Sequence, residues 1–148
     1  MTPTGGVLMG TRCGDMDPGV LVYLLRHGYG TEDLEHVCDH ESGLRGVSAL
    51  TSDVRKLEAE RANHQEADLA LRMFAYQVRK TIAAMAAALG GVETVVFTGG
   101  IGEHAENVRN EIVAGLAFLG SFETKVLVTQ EDEQIARNTA RLLALRPH

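Results

Sequence analysis

The sequence has little cysteine, a shortage of basic charge and no long apolar run. Its two cysteines, Cys13 and Cys38, are too few for a disulfide framework. Met1–Gly10 shows no secretory signal pattern, so a reducing cytoplasm is the expected home. The longest apolar stretch, Ile82–Leu89, is too short and alanine-rich to span a bilayer, and no membrane partner is expected. Lys+Arg is 14 against Asp+Glu 20, a net charge of −6. That balance argues against a surface that coats nucleic acid, but not against a small anionic ligand held by a few residues. No P-loop, no hydrolase serine elbow, no internal repeat and no low-complexity tract is found.

What is present is glycine: 16 of 148 residues, about 11% against a usual ~7%. The glycines cluster, which excludes collagen and points to backbone-lined ligand loops. The length suits one domain, and 45% hydrophobic with 23% charged residues is ordinary globular usage.

Local patterns predict a mixed α/β chain. Met1–Asp15 reads as loop or short strand. Asp17-Pro18 begins a helix with an apolar stripe at Leu21, Leu24 and Leu25, ended by Gly28. Thr31–His40 reads as a short polar helix and Ser42–Ser52 as a loop marked by Gly43 and Gly46. Asn63 with Glu66 forms a capping box before a long helix to Leu89. Its buried face is predicted at Ala67, Leu71, Phe74, Val78, Ile82, Met85 and Leu89. After Gly90-Gly91, Glu93–Thr98 reads as a buried strand. Gly99–Gly102 then turns into a helix over about His104–Leu119, with Val108, Ile112 and Leu116 on one face. A second strand is expected at Lys125–Thr129 and a last helix at Glu131–Leu145. Strand, glycine turn, helix and strand make a parallel βαβ unit.

Three segments could carry chemistry. Thr98-Gly-Gly-Ile-Gly-Glu103 lies where a strand end meets a helix N-terminus, a place that suits anionic or polar groups. The bland alternative is a turn needing glycine only for packing. Gly100-x-Gly102-x-x-Ala105 also fits a relaxed dinucleotide fingerprint, but the acidic residue expected at the next strand's end is poorly placed. Gly10-Thr-Arg12-Cys-Gly-Asp15 sets an arginine in a glycine-flanked loop, suited to bidentate recognition of carboxylate or phosphoryl oxygens, or simply solvated. Ser52-Asp53-Val54-Arg55 reads as a helix cap followed by an ion pair. His36-x-Cys38-x-His40 reads as a polar helix rather than a metal site, because Cys38 would leave the face shared by the two histidines.

Five ordered motifs together resemble acetate kinase: Met9–Pro18, Ser42–Gly46, Thr51–Arg55, Phe74–Lys80 and Val96–Glu103. The resemblance runs from about Thr2 to Arg141. It implies the actin-like ATPase superfamily, whose two ribonuclease H-like α/β domains clasp ATP between them. Residues 1–148 would then be the carboxyl-terminal, nucleotide-side domain, an incomplete fold with a βαβ unit and long helices. The implied reaction passes the γ-phosphoryl of ATP to acetate or another short carboxylate, giving an acyl phosphate and ADP. Arg12 matches the family's transition-state-stabilising arginine. Asp53, Val54 and Arg55 match the segment against the adenosine, with Val54 where phenylalanine is usual. Gly100, Ile101, Gly102 and Glu103 match the glycine loop under the nucleotide, and His104 stands where asparagine is common. Glu131 matches a glutamate linked to Mg²⁺. Family members are more than twice this length and dimerise through this half, so a homodimer is expected of the whole protein. The amino-terminal part, with an acidic catalytic residue and the substrate-binding arginine, is not matched here. The chain alone is therefore expected to be a truncated, inactive fragment. Two other readings are a non-catalytic nucleotide-binding or dimerisation module and a Rossmann-type oxidoreductase that binds NAD.

Overall fold

The computed structural model describes residues 4–144, apart from the side chains of Glu131, Asp132 and Ala144. Asp17 caps α1 (Pro18–Arg26), its Oδ1 accepting from the Gly19 amide at 2.8 Å, and Gly28 turns the chain with φ of 93°. Leu21 and Leu24 are only half-buried and Leu25 is exposed, so the apolar stripe predicted there is barely covered. The polar helix forms as α2 (Thr31–His36) and runs on into a π-helical turn, Val37–Glu41.

The loop expected at Ser42–Ser52 is instead opened by a helix, α3 (Gly43–Ser48). Its first amides receive the preceding loop: Ser42, Leu44 and Arg45 donate to the carbonyls of Thr11, Met9 and Gly10 at 2.8 to 3.0 Å. The glycines that look like helix breakers permit this approach. A Cβ on Gly43 would collide with the Met9 carbonyl, and one on Gly46 would lie 2.5 Å from the Glu41 carbonyl. Close backbone approach is the reason for glycine at both positions, joined at Gly43 by a positive φ of 67°.

A short helix, α4 (Val54–Glu60), follows the Asp53 cap, as expected. The long helix α5 (Gln65–Leu89) is capped by His64, not Asn63. Asn63 and His64 still donate to the Glu60 carbonyl in the turn closing α4, which moves the cap one residue on. The His64 Nδ1 accepts from the Ala67 amide at 3.3 Å.

The first half of α5 is the spine of the core. Ala67, Ala70, Leu71 and Ala75 are fully buried, and Phe74 nearly so. They join Leu44 of α3, Val54 and Leu57 of α4, and Val108, Ile112 and Leu116 farther along. Val78 and Ile82 pack against this cluster, but Met85 is 55% exposed and Leu89 80%. The predicted stripe is thus buried only over its first two-thirds.

The first strand, β1 (Thr94–Phe97), buries Val95 and Phe97 and exposes Thr94 and Val96, so one face is covered rather than two. The glycine segment is itself a short helix, α6 (Gly99–His104), broken at Ala105 from α7 (Glu106–Ala114). One continuous helix does not form over His104–Leu119; a 3₁₀ turn at Ala117–Leu119 closes it. The second strand, β2 (Glu123–Val126), begins two residues before the predicted start and pairs in parallel with β1, Thr94 opposite Glu123 and Phe97 opposite Val126. Leu127 adds a last ladder bond to the Phe97 carbonyl at 2.9 Å. Thr129 then leaves the ladder for Glu103, which ends the strand. The last helix, α8, spans Glu131–Ala144; Leu145 lies outside the described residues. The βαβ expectation therefore holds, as a partial α/β fold with a two-stranded parallel sheet. No helix among the described residues is long and apolar enough to cross a membrane.

Gly43 tests this packing. With φ of 67° and no room for a methyl group, Gly43→Ala should lower the unfolding free energy by about 2 kcal/mol or more in urea titration. An unchanged midpoint would show that α3 does not press on the Arg12 loop in solution.

Candidate functional site

The site is built where the start of α4 faces α6 across a cleft of about 380 Å³. Ser48, fully buried at the end of α3, shapes the approach to α4. Its hydroxyl accepts from the Leu50 and Thr51 amides and donates to the Thr51 carbonyl, at 3.2 to 3.3 Å. The Thr51 hydroxyl in turn accepts from the Asp53 amide at 3.2 Å. The Ser48–Thr51 spacing is a local signal of such a turn, and sequence reasoning missed it.

Asp53 caps α4 through the Arg55 amide at 3.0 Å and pairs with the Arg55 guanidinium, Oδ1 to Nε at 3.1 Å and Oδ2 to the terminal nitrogen at 2.8 Å. This two-point pair holds the Asp53 carboxyl below the usual carboxylate range, with the Arg55 side chain as the main cause. The cap and ion pair read from the sequence are both present.

Across the cleft lie Gly100, Ile101, His104 and Ala105, opposite Ser52, Asp53, Val54 and Arg55. Val54 is buried in the core and offers only an edge. Two of the predicted nucleotide residues, Gly102 and Glu103, do not line the cleft. Gly102 packs on β1, where an added Cβ would meet the Phe97 main chain at 3.4 Å. The Glu103 Oε1 accepts from the amides of Gly99 and Thr129, each at 2.9 Å, and from the Thr129 hydroxyl at 2.7 Å. Those bonds, Thr129 foremost, hold its carboxyl below the usual range.

Gly99 needs its positive φ of 73° and Gly102 its closeness to β1, but an added Cβ on Gly100 meets nothing within 4 Å. Neither packing nor backbone conformation requires glycine there.

Arg12 does not line the cleft. Its loop borders it through Gly10, where an added Cβ would come within 3.3 Å of the Ser52 Cβ. The Arg12 main-chain carbonyl accepts from the Met9 amide at 3.1 Å, and its half-buried guanidinium pairs with no carboxylate among the described residues. The Cys13 amide donates to the Cys38 carbonyl at 3.0 Å, while burial raises the Cys13 thiol pKa. His36 and His40 have ring centroids 5.3 Å apart. No group of three or more His, Cys, Asp or Glu side chains stands ready to hold a metal among the described residues. The Glu131 side chain, the predicted metal ligand, lies outside them.

The acetokinase family profile matches residues 1–144. The chain belongs to the acetokinase family. The acetate kinase of Thermosynechococcus vestitus is 42% identical, aligned over 97% of this chain and 40% of its own length. The crystal structure of Porphyromonas gingivalis acetate kinase superposes with a TM-score of 0.87 at 35% identity, covering 96% of this chain and 42% of that one. A propionate kinase from Francisella tularensis superposes at 0.83 with 30% identity, over 88% of this chain and 39% of that one. The chain thus spans less than half the length of these acetokinase relatives. The relatives named are acetate and propionate kinases.

Two carboxyls of the site are held ionised by hydrogen bonds. A folded-state pKa below the unfolded one contributes stability above the ordinary carboxylate range, lost as pH falls through the lowered value. The Arg55 and Thr129 amide resonances should accordingly titrate with midpoints below the usual Asp and Glu values. Midpoints at the usual values would show both carboxylates unpaired in solution.

Proposed function

We propose that this chain is the carboxyl-terminal, nucleotide-side part of an acetate kinase-type phosphotransferase, which moves the γ-phosphoryl of ATP to acetate or another short carboxylate. The observation that carries the reading is the cleft itself. Asp53 with Arg55 on one wall and Gly100, Ile101 and His104 on the other are the family-matched segments, brought together from distant parts of the chain. Gly100 keeps the backbone bare where a nucleotide would lie. The Asp53–Arg55 pair presents hydrogen-bonding groups at the rim, and Arg12 stands one loop away.

Phosphoryl transfer needs the reacting oxygens in line and the charge on the equatorial oxygens neutralised. A guanidinium without a protein carboxylate is suited to the second task, and we assign it to Arg12. Magnesium brought with ATP would be held largely by phosphates and water, with Glu131 as the family-matched carboxylate. The acceptor side would be supplied by family sequence outside these 148 residues, so the isolated chain should bind nucleotide without turnover. The preferred carboxylate, a homodimer of the whole protein and a cytoplasmic setting belong to the same reading. The competing reading, a non-catalytic nucleotide-binding or dimerisation module, draws on α5, whose Leu69, Tyr76, Met85 and Leu89 are exposed.

Calorimetry with Mg·ATP tests the cleft. The unaltered chain should bind ATP in preference to NAD. Gly100→Val should weaken ATP binding about tenfold or more while changing stability by less than about 1 kcal/mol. Equal binding by both forms would remove the cleft from the reading.

Arg12 is tested in the chain completed with its family's amino-terminal half. Arg12→Ala should lower kcat by about 10²–10³-fold with a much smaller effect on the KM for ATP. An unchanged kcat would remove Arg12 from the transition state. Steady acetyl phosphate formation by the 148-residue chain alone would overturn the assignment of the acceptor side.

A further inference from the structure

The glycine segment Gly99–Gly102 has little behind it. On one side is the cleft of about 380 Å³; on the other is a second, largely apolar cavity of about 400 Å³, walled by Phe74, Val78, Phe97 and Ile112. Added Cβ atoms at Gly99 and Gly100 meet nothing within 4 Å. Packing holds this segment only through Ile101 at the edge of the core and Gly102 against β1, and a helix as short as α6 has little stability of its own.

Two polar ties add to that limited packing. At the start, the Glu103 Oε1 receives the Gly99 amide together with the amide and hydroxyl of Thr129, joining the segment to the chain just after β2. At the end, one terminal nitrogen of Arg109 donates to the carbonyls of Gly102 and Glu103, at 3.0 and 2.8 Å. These are carbonyls at the end of α6, where a cation is favoured. Arg109 lines the rear cavity and not the cleft, so it reaches the segment from behind and not from the nucleotide side. An Ala at position 109 would leave both carbonyls without this partner.

We propose that Glu103 and Arg109 are positioning residues that brace the glycine segment from its two ends, setting the width of the cleft without touching the nucleotide. This role rests on the nucleotide reading above. It replaces the direct nucleotide contact first expected of Glu103, and it brings in a residue outside the family-matched motifs. Because the ties run to Thr129, the brace also couples the glycine segment to the residues leading into α8.

The experiment compares the unaltered 148-residue chain with Arg109→Ala, Arg109→Lys, Glu103→Gln and Thr129→Val. Amide hydrogen exchange is read without nucleotide and Mg·ATP affinity by calorimetry. Exchange at Gly99 and Thr129 should accelerate about tenfold or more in Arg109→Ala and Glu103→Gln, with α5 amides unchanged, which separates loosening of the segment from general unfolding. The same two variants should bind ATP about tenfold more weakly, and Arg109→Lys should recover part of the loss. Thr129→Val removes one of the three bonds to Glu103 and should give a smaller effect of the same sign. Unchanged exchange overturns the brace. Faster exchange with unchanged ATP affinity overturns its role in setting the cleft. If the unaltered chain binds no ATP while exchange still responds, the brace stands as structure, and the nucleotide reading falls together with the positioning role built on it.

Discussion

Everything in the site hangs from the first half of α5. Its buried residues are mostly alanines, Ala67, Ala70 and Ala75, with Leu71 and Phe74 between them. Small residues on a helix face let neighbours approach closely, and here α3, α4 and α7 all close on that face. The consequence reaches the cleft directly. α3 receives the Arg12 loop on its first amides, α4 carries Asp53 and Arg55, and α7 carries Arg109 behind the glycine segment. A change of volume at Ala70 or Ala75 would shift both walls of the cleft at once.

From that scaffold outward, control passes from packing to hydrogen bonds. The Arg12 loop is held by main-chain carbonyls, the turn before α4 by the Ser48 and Thr51 hydroxyls, and the glycine segment by Glu103 and Arg109. Such ties place backbone without filling the space in front of it. A site that must admit a ligand needs walls of this kind, since apolar side chains packed there would close it.

The legible parts of this arrangement are those with a local cause. The α5 period, the Asp17 and Asp53 caps and the β1 run follow from nearest neighbours along the chain, and the structure contains them. The motif resemblance also placed both walls of the cleft, although spacing alone could not say that they face each other. What stayed hidden depends on partners far away in sequence. Gly43 read as a loop residue because its reason lies in the distant carbonyl of Met9. The tie from Glu103 was hidden because its partner Thr129 lies 26 residues on. Asn63 read as a cap because the turn closing α4 had no signature of its own. The overextended stripe on α5 is the reverse case: Met85 and Leu89 keep the period but meet no cover among the described residues.

That uncovered surface continues onto the sheet. Val96, Val126, Leu127 and Val128 are 46% to 76% exposed, and every residue of β2 is exposed. Parallel strands are ordinarily buried on both faces, because their crossover helices cover the sheet. Here α5 and α7 cover one face of β1, and the opposite face has no counterpart among the described residues. A two-stranded parallel ladder has little independent stability, so its order comes from the β1 side chains anchored in the core, Val95 and Phe97. The glycine segment begins two residues after Phe97, and Glu103 fastens it to Thr129 at the end of the partner strand. The cleft therefore rests on the less protected edge of the fold. In relatives more than twice as long, with the same helices at a TM-score of 0.87, further chain is available to cover that edge.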